Sequence, residues 1–514
     1  MHRRSIPTLV LTAVLAVPLS WLATSTARAA ADGCDVGVES DFNGDGWSDA
    51  AVADPYATVA GVIEAGRVQV LYGDSDARVG QGARGLVRQG AGSVADVPET
   101  RDRFGSSLAV ADIDCDGFSD LVVGVPYEDL AGQADSGLVQ VVFGSAAGLG
   151  LGDASRSIYQ TSFGAAVHAG DQLGFAVDAM EDVGQGGTPN PDAYAIAVGA
   201  PGWDVGGATN AGWVGFLVAY DGGNISMGVT QDSPGIPGAA EAGDRFGAAV
   251  TLNYLVGEKT TVDAAVGVPN EDVGTLADAG AVTVIRDVYF DPTGISLDQS
   301  TAGVAGDPEK GDRFGESLDS IQVGATTRLA VGVSHEDVGS AGDAGSVQLF
   351  SSNGATLTAT QGLTQDTAGV SGVSEGGDLF GDRLAFAGPA PGVGSTRLAV
   401  GTPGEDSAAT NNGLVQVFPV TDLDAEVGYG QDSPGVPGAP QTGDRFGAAV
   451  SVVTGNSEQV LLVGVPDDVS NSTGEVDVIP LGAGSARAWI SGVGGLTGPG
   501  ASRFGASLAS GGQQ

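Results

Sequence analysis

Short apolar segments, β-branched and bounded by glycine or proline, recur from about residue 49 to the end of the chain. One group reads DAAVADP (49–55), DLVVGVP (120–126), AIAVGAP (195–201), DAAVGVP (263–269), RLAVGVS (328–334), RLAVGTP (397–403) and VLLVGVP (460–466). A glycine-led segment follows each in turn: GRVQVLYG, GLVQVVFG, GWVGFLVA, GAVTVIRD, GSVQLFSS, GLVQVFPV and GEVDVIPL. A third group opens on an FG-like step, as in DRFGSSLAV (102–110), DQLGFAV (171–177), DRFGAAV (244–250), DRFGESL (312–318), DLFGDRL (378–384), DRFGAAV (444–450) and SRFGASL (502–508). Apolar runs this short, punctuated by turn residues, predict strands rather than helices. A fourth, less regular segment lies between the glycine-led strand and the next opening, for example ISMGVTQDSPG (225–235).

Four strands in each of seven repeats predict an all-β chain folded as a seven-bladed β-propeller of four-stranded blades. A repeat of this length with four short strands cannot bury a core of its own, which argues against separate sandwich domains. The first repeat lacks an FG opening, and the last opening lacks a following repeat. Closure of the ring by residues 503–510, as the missing strand of the first blade, is the simpler expectation. Residues 34–40 are the alternative for that position.

Composition adds compartment and exclusions. The chain has 86 glycines in 514 residues, far above ordinary usage, which suits many tight turns. A basic start (His2, Arg3, Arg4), an apolar run and the triplet ARA at 27–29 read as a secretory signal over residues 1–29, leaving 30–514 as a single propeller domain. Losing the signal removes three arginines and no acid, so the net charge of −42 becomes −45. Such a field opposes nucleic acid and anionic membranes, and no later segment is long and apolar enough to span a bilayer. The mature chain is therefore expected to be secreted, extracellular and monomeric. Cys34 and Cys115 are the only cysteines. An even count in an exported chain favours a disulfide between them, two free thiols being the alternative.

Two stretches carry metal-ligand spacing. DFNGDGWSD (41–49) offers Asp41, Asn43, Asp45 and Asp49 with the Trp47 carbonyl. DIDCDGFSD (112–120) offers Asp112, Asp114, Asp116 and Asp120 with the Phe118 carbonyl. Hard oxygen ligands in a flexible loop suit Ca²⁺, so two calcium sites are expected. The acidic closure comes at the ninth position, with no twelfth-position glutamate, which departs from the EF-hand. The other five repeats lack this spacing.

The order FG, then the aspartate loop, then VGVP, then a glycine-led strand resembles the FG-GAP repeat of the integrin α-subunit head, found also in many exported bacterial proteins. The resemblance implies that the calcium hairpins join the first and second strands of a blade. It also implies that ligands bind on the opposite face, beside the loops after VGVP. That face carries repeated acids, in YEDLAGQADSG (127–137), NEDVGTLADAG (270–280) and HEDVGSAGDAG (335–345), and the arginines of GDRFG. Repetition favours a structural role for them, as acid–guanidinium bridges or turn caps. Tyr56, Tyr127 and Trp203 fall on consecutive repeats there, where aromatic rings suit a sugar or a protein anchor.

The expected function is a calcium-stabilised, non-catalytic binding or adhesion module for an extracellular protein or glycan. The alternatives are a polysaccharide lyase or hydrolase using carboxylates of the loop face, and a structural component of the cell envelope. With His168 and His335 the only histidines of the mature chain, and neither paired to a nucleophile by any motif, ordinary nucleophilic catalysis is disfavoured.

Overall fold

The computed structural model describes residues 38, 40–74, 78–181, 193–220, 223–256, 261–288, 292–354, 356–389, 395–455, 458–468, 473–482, 484–496 and 502–509. These form seven four-stranded antiparallel sheets, the seven-bladed propeller expected. The second repeat is representative: Ser107–Ala111, Asp120–Val125, Leu138–Val142 and Arg156–Ile158 run in that order from the axis outward. Helix is confined, among the described residues, to the short turns Gln160–Phe163 and Leu423–Ala425, and none is long and apolar enough to cross a membrane.

The two middle strands of each blade are buried on both faces because neighbouring blades cover both. That is why they read as continuous apolar runs instead of alternating with polar residues. Period two still sorts the side chains between neighbours. Leu121, Val123 and Val125 pack with Ala51, Val68 and Val70 of blade one. Val122 points the other way, to Ile196 and Val198 of blade three. The outermost strand has one face in solvent, and Thr293–Leu297 is correspondingly half exposed.

The FG step makes the joint between blades. Phe104, Phe246, Phe314, Phe380, Phe446 and Phe504 are fully buried. Phe104 bridges to Gly66, which leads the third strand of the preceding blade. A Cβ on Gly66 would stand 2.3 Å from the Phe104 carbonyl oxygen, so only glycine lets the two backbones meet.

The ring closes through the C-terminal strand. Ser507–Leu508 pairs antiparallel with Ala50–Asp54, matching Leu508 to Val52 and Ser507 to Ala53. Gly505 N–H and Ala509 N–H extend the pairing to the carbonyls of Ala53 and Ala51. The signal segment 1–29, Cys34 and most of 34–40 lie outside the described residues.

Candidate functional site

The inner strands set two distinct ends of the propeller axis. Each begins at an FG step, and in blade two the inner strand runs directly into the aspartate loop 112–120. The second strand then returns, so Tyr127 comes back to the FG end. A cavity of about 630 Å³ lies at that end, on the axis, away from the aspartate loops.

Six arginines line it: Arg103, Arg245, Arg313, Arg383, Arg445 and Arg503. Four occupy the DRFG turn in a left-handed backbone, with φ of 55° at Arg103, 61° at Arg245, 59° at Arg313 and 59° at Arg445. A non-glycine residue there needs support from its surroundings. The Arg103 N–H donates to the Glu64 carbonyl at 3.1 Å, and the carbonyls of Asn210, Asp278 and Asn411 serve the other three. The preceding aspartate braces each turn: Asp102 accepts from the Glu99 N–H at 2.5 Å, Asp244 from Glu241 at 2.6 Å and Asp444 from Gln441 at 2.7 Å.

Of the expected aromatic trio, Tyr56 and Tyr127 both line this cavity. The Arg103 guanidinium lies over both rings, 4.7 Å and 4.8 Å from their centroids, and is paired with Glu64 at 3.0 Å. Arg503 also approaches Tyr56, at 5.0 Å, and pairs with Asp467 at 3.1 Å. Trp203 is elsewhere, stacked on Trp213 at 5.4 Å with His168 edge-on at 5.5 Å. Its register explains this. The tyrosine position in blade three is Gly202, where a Cβ would stand 1.9 Å from the Gly170 carbonyl oxygen, so no side chain fits. Trp203 instead occupies the next position, where blades two, four, five and six carry a glutamate.

Those glutamates do not bridge to arginine. Glu128 accepts a hydrogen bond from Gln89 of the preceding blade at 2.7 Å, and Glu271 from Gln231 at 2.5 Å. The same contact joins Glu336 to Gln299 and Glu405 to Gln365. Burial, with Asp102 beside it, pushes Glu128 up to about 8. Burial likewise raises Glu271, Glu336 and Glu405 to about 7. The repeated acids therefore divide into turn braces and locks between blades.

At the other end of the axis the aspartate loops are closely hydrogen-bonded. In the first, Asp41 accepts from the N–H groups of Gly44 and Gly46, each at 2.7 Å, and the Asn43 amide reaches Asp45 at 3.0 Å. Asp49 accepts from Phe42 N–H at 2.9 Å and Gly73 N–H at 2.8 Å. In the second, Asp120 accepts from Ile113 and Gly144, both at 2.8 Å. The ninth-position aspartates thus brace the hairpins with both oxygens. Asp112, Asp114 and Asp116 bring carboxylate oxygens within 4.8 Å of one another, a donor set that fits a hard divalent cation. Burial pushes Asp112 up to about 8, a cost that a bound dication would offset. Trp47 and Phe118 each present an N–H to the fifth-position aspartate, at 3.0 Å. Cys115 sits within this loop at φ 56°.

These loops also tie blades together. Ser119 N–H donates to the Asp41 carbonyl at 3.0 Å and Ser145 N–H to the Phe42 carbonyl at 3.1 Å, linking blades one and two. The Ser48 hydroxyl reaches the Thr454 carbonyl of blade seven at 3.1 Å. Asp112 N–H donates to Glu181 of blade three at 2.8 Å.

A family model matches one repeat of this architecture. Residues 104–142, from the blade-two FG step through its third strand, match the FG-GAP repeat. A 114-residue stretch is 33% identical to phosphatidylinositol-glycan-specific phospholipase D of Bos taurus, covering 21% of this chain and 13% of that protein. Among solved structures, an ACO/RPE65 chimera aligns over 93% of this chain and 94% of its own, at a TM-score of 0.43 and 10% identity. A Synechocystis ACO mutant aligns over 84% and 86%, at 0.40 and 10%. The chain carries the FG-GAP repeat on a seven-bladed propeller.

Proposed function

We propose that this chain is a secreted, calcium-stabilised propeller that binds an extracellular protein or glycan through the face bearing the axial cavity, without catalysis. The observation that carries the reading is the division of labour along the axis. One end holds hydrogen-bonded aspartate loops that join blades, and the other holds a concave surface lined by Tyr56, Tyr127 and arginines. Concave sites with a few convergent polar groups are the usual place for ligands.

On this reading Asp112, Asp114 and Asp116 hold calcium in the second loop, and Asp41, Asn43 and Asp45 in the first. The metal fixes loops that each already touch two neighbouring blades. A Cys34–Cys115 disulfide anchors the segment ahead of blade one to the second loop. Intact-mass analysis with and without reductant tests it, a two-proton difference being the expected result.

The function is tested by presenting the secreted chain to a glycan array and to extracellular protein extracts, alongside turnover assays on polysaccharides. Saturable capture that falls in the Tyr56→Ala/Tyr127→Ala variant, with no product released, is expected. Product formation would replace the binding reading with the enzymatic one. Silence in every assay would favour a purely structural part of the cell envelope.

A further inference from the structure

The axial cavity has a charge pattern opposite to that of the molecule around it. A chain of net charge −42 sends six of its 21 basic residues to one concave surface. Gathered guanidiniums repel unless counter-charges stand among them. Four have such partners: Arg103 with Glu64, Arg313 with Glu316, Arg383 with Asp382 and Arg503 with Asp467. Arg245 and Arg445 have no ion pair among the described residues. Arg245 rests against the face of Phe175, 5.1 Å from its centroid, which leaves the N–H edge of the guanidinium open.

The positions of these two matter. Arg245 enters from blade four and Arg445 from blade seven, three places apart in a ring of seven, so they stand nearly across the axis from each other. Both leave the left-handed turn described above, so the backbone fixes where each side chain enters the cavity. Below them each inner strand contributes a leucine or valine at one level, from Leu108 and Val177 round to Leu508, and together these floor the cavity. Charge contacts made above an apolar floor are screened less than contacts on an open surface.

This inference rests on the reading that the cavity face binds ligand, and it names the ligand chemistry. We propose that the axial cavity receives a ligand carrying at least two oxyanion groups, one held by Arg245 and another by Arg445. Carboxylate, sulfate and phosphate groups share the planar or tripod oxygens that guanidinium grips in pairs. A neutral ligand leaves the two guanidiniums uncompensated, and a cation is repelled by both.

Isothermal titration of the full chain at low salt tests the inference with citrate, pyrophosphate and a sulfated disaccharide, against acetate and lactose. At least one multivalent anion should bind saturably, and its affinity should fall as salt rises. Whichever binds tightest identifies the oxyanion source. Arg245→Gln and Arg445→Gln should each weaken binding about tenfold, as expected for one charge-assisted contact. The control Arg101→Gln, an arginine outside the cavity, should not. Circular dichroism melts show whether each variant is folded. Failure of all three multivalent anions to bind, or wild-type affinity in the Arg245→Gln/Arg445→Gln double variant, overturns the inference. If anions fail while Tyr56→Ala/Tyr127→Ala still abolishes capture of a protein or glycan, the anion assignment falls and the binding face stands. If neither response is seen, both fall.

Discussion

The joint between blades seven and one is built differently from the joints between blades four and five or five and six. At the regular joints a glutamine at the end of one blade's outer strand donates to a glutamate of the next blade. At the seam those positions hold Ser491 and Ala57, and neither can make the lock. A buried ion pair replaces it. Asp54 stands where other blades have an apolar residue or threonine, and it faces Arg67 at 3.1 Å with both side chains almost wholly buried. Asp54 also accepts from the Arg503 N–H at 2.9 Å and the Ser502 hydroxyl at 2.5 Å, while Arg67 reaches the Ser491 hydroxyl at 3.3 Å. A closing strand of two residues offers few backbone bonds, so side chains carry the closure. The regular joint is continuous in sequence and needs only a neutral or singly charged hydrogen bond. The seam joins remote parts of the chain and concentrates charge.

Cutting the seam should have the largest effect. Asp54→Ala leaves Arg67 buried and unpaired, and should destabilise by about 3–5 kcal/mol, read as a fall in thermal midpoint and in protease resistance. The double change Asp54→Val/Arg67→Leu installs the pair found in blade two, Val125 and Leu138. It should recover most of that loss, because apolar packing can replace a buried ion pair. If the double variant is as unstable as the single, the ion pair has a role beyond filling the seam.

Next comes pH, which acts on the regular joints. Glu128, Glu271, Glu336 and Glu405 have folded values near 7 to 8 against an ordinary 4.5. The folded chain therefore binds more protons than the unfolded chain between those limits. The stability this contributes is complete below about 4.5 and is lost as pH rises through 7 to 8. In chelator, melting temperature should fall between pH 5 and pH 8. Changing the four glutamates to glutamine should flatten that slope.

A single regular lock is worth less. Glu271→Ala strands the Gln231 amide and should cost about 1–3 kcal/mol, whereas Glu271→Gln, able to keep a hydrogen bond, should cost under half as much in the same melts. Calcium removal should fall at the lower end of the range for losing a lock outright. A site of extracellular affinity contributes about 1–2 kcal/mol at millimolar metal. Chelator should lower the midpoint of the wild type by more than that of Asp112→Asn/Asp114→Asn, in which only the first loop keeps its ligands.

The strands and blade order could be read from the sequence because each blade repeats the same burial demand on its middle strands. The locks could not. Gln89 and Glu128 are remote in sequence, and only the packing of one blade on the next brings them together. The seam pair left a trace, since DAAVADP is the one copy with an acid before its proline, but its partner Arg67 needed the sheet register. The arginines were the larger omission. Repetition suggested local bridges, yet a ring carries equivalent positions to one axis, so residues repeated for structural reasons still converge on a shared cavity. Trp203 was placed one residue away from its neighbours' tyrosines by the close approach of Gly202 to Gly170.

The brief closing strand also bears on the order of assembly. Ser502 and Arg503 meet Asp54 across 448 and 449 residues. Blade one can therefore fold only three of its strands while the rest of the chain is being made, and its inner edge waits unpaired. Contacts of such long range form late, and an open edge invites pairing with another chain. During vectorial synthesis residues 502–509 thus act as a completion check: until they arrive, the ring is an arc with one adhesive side.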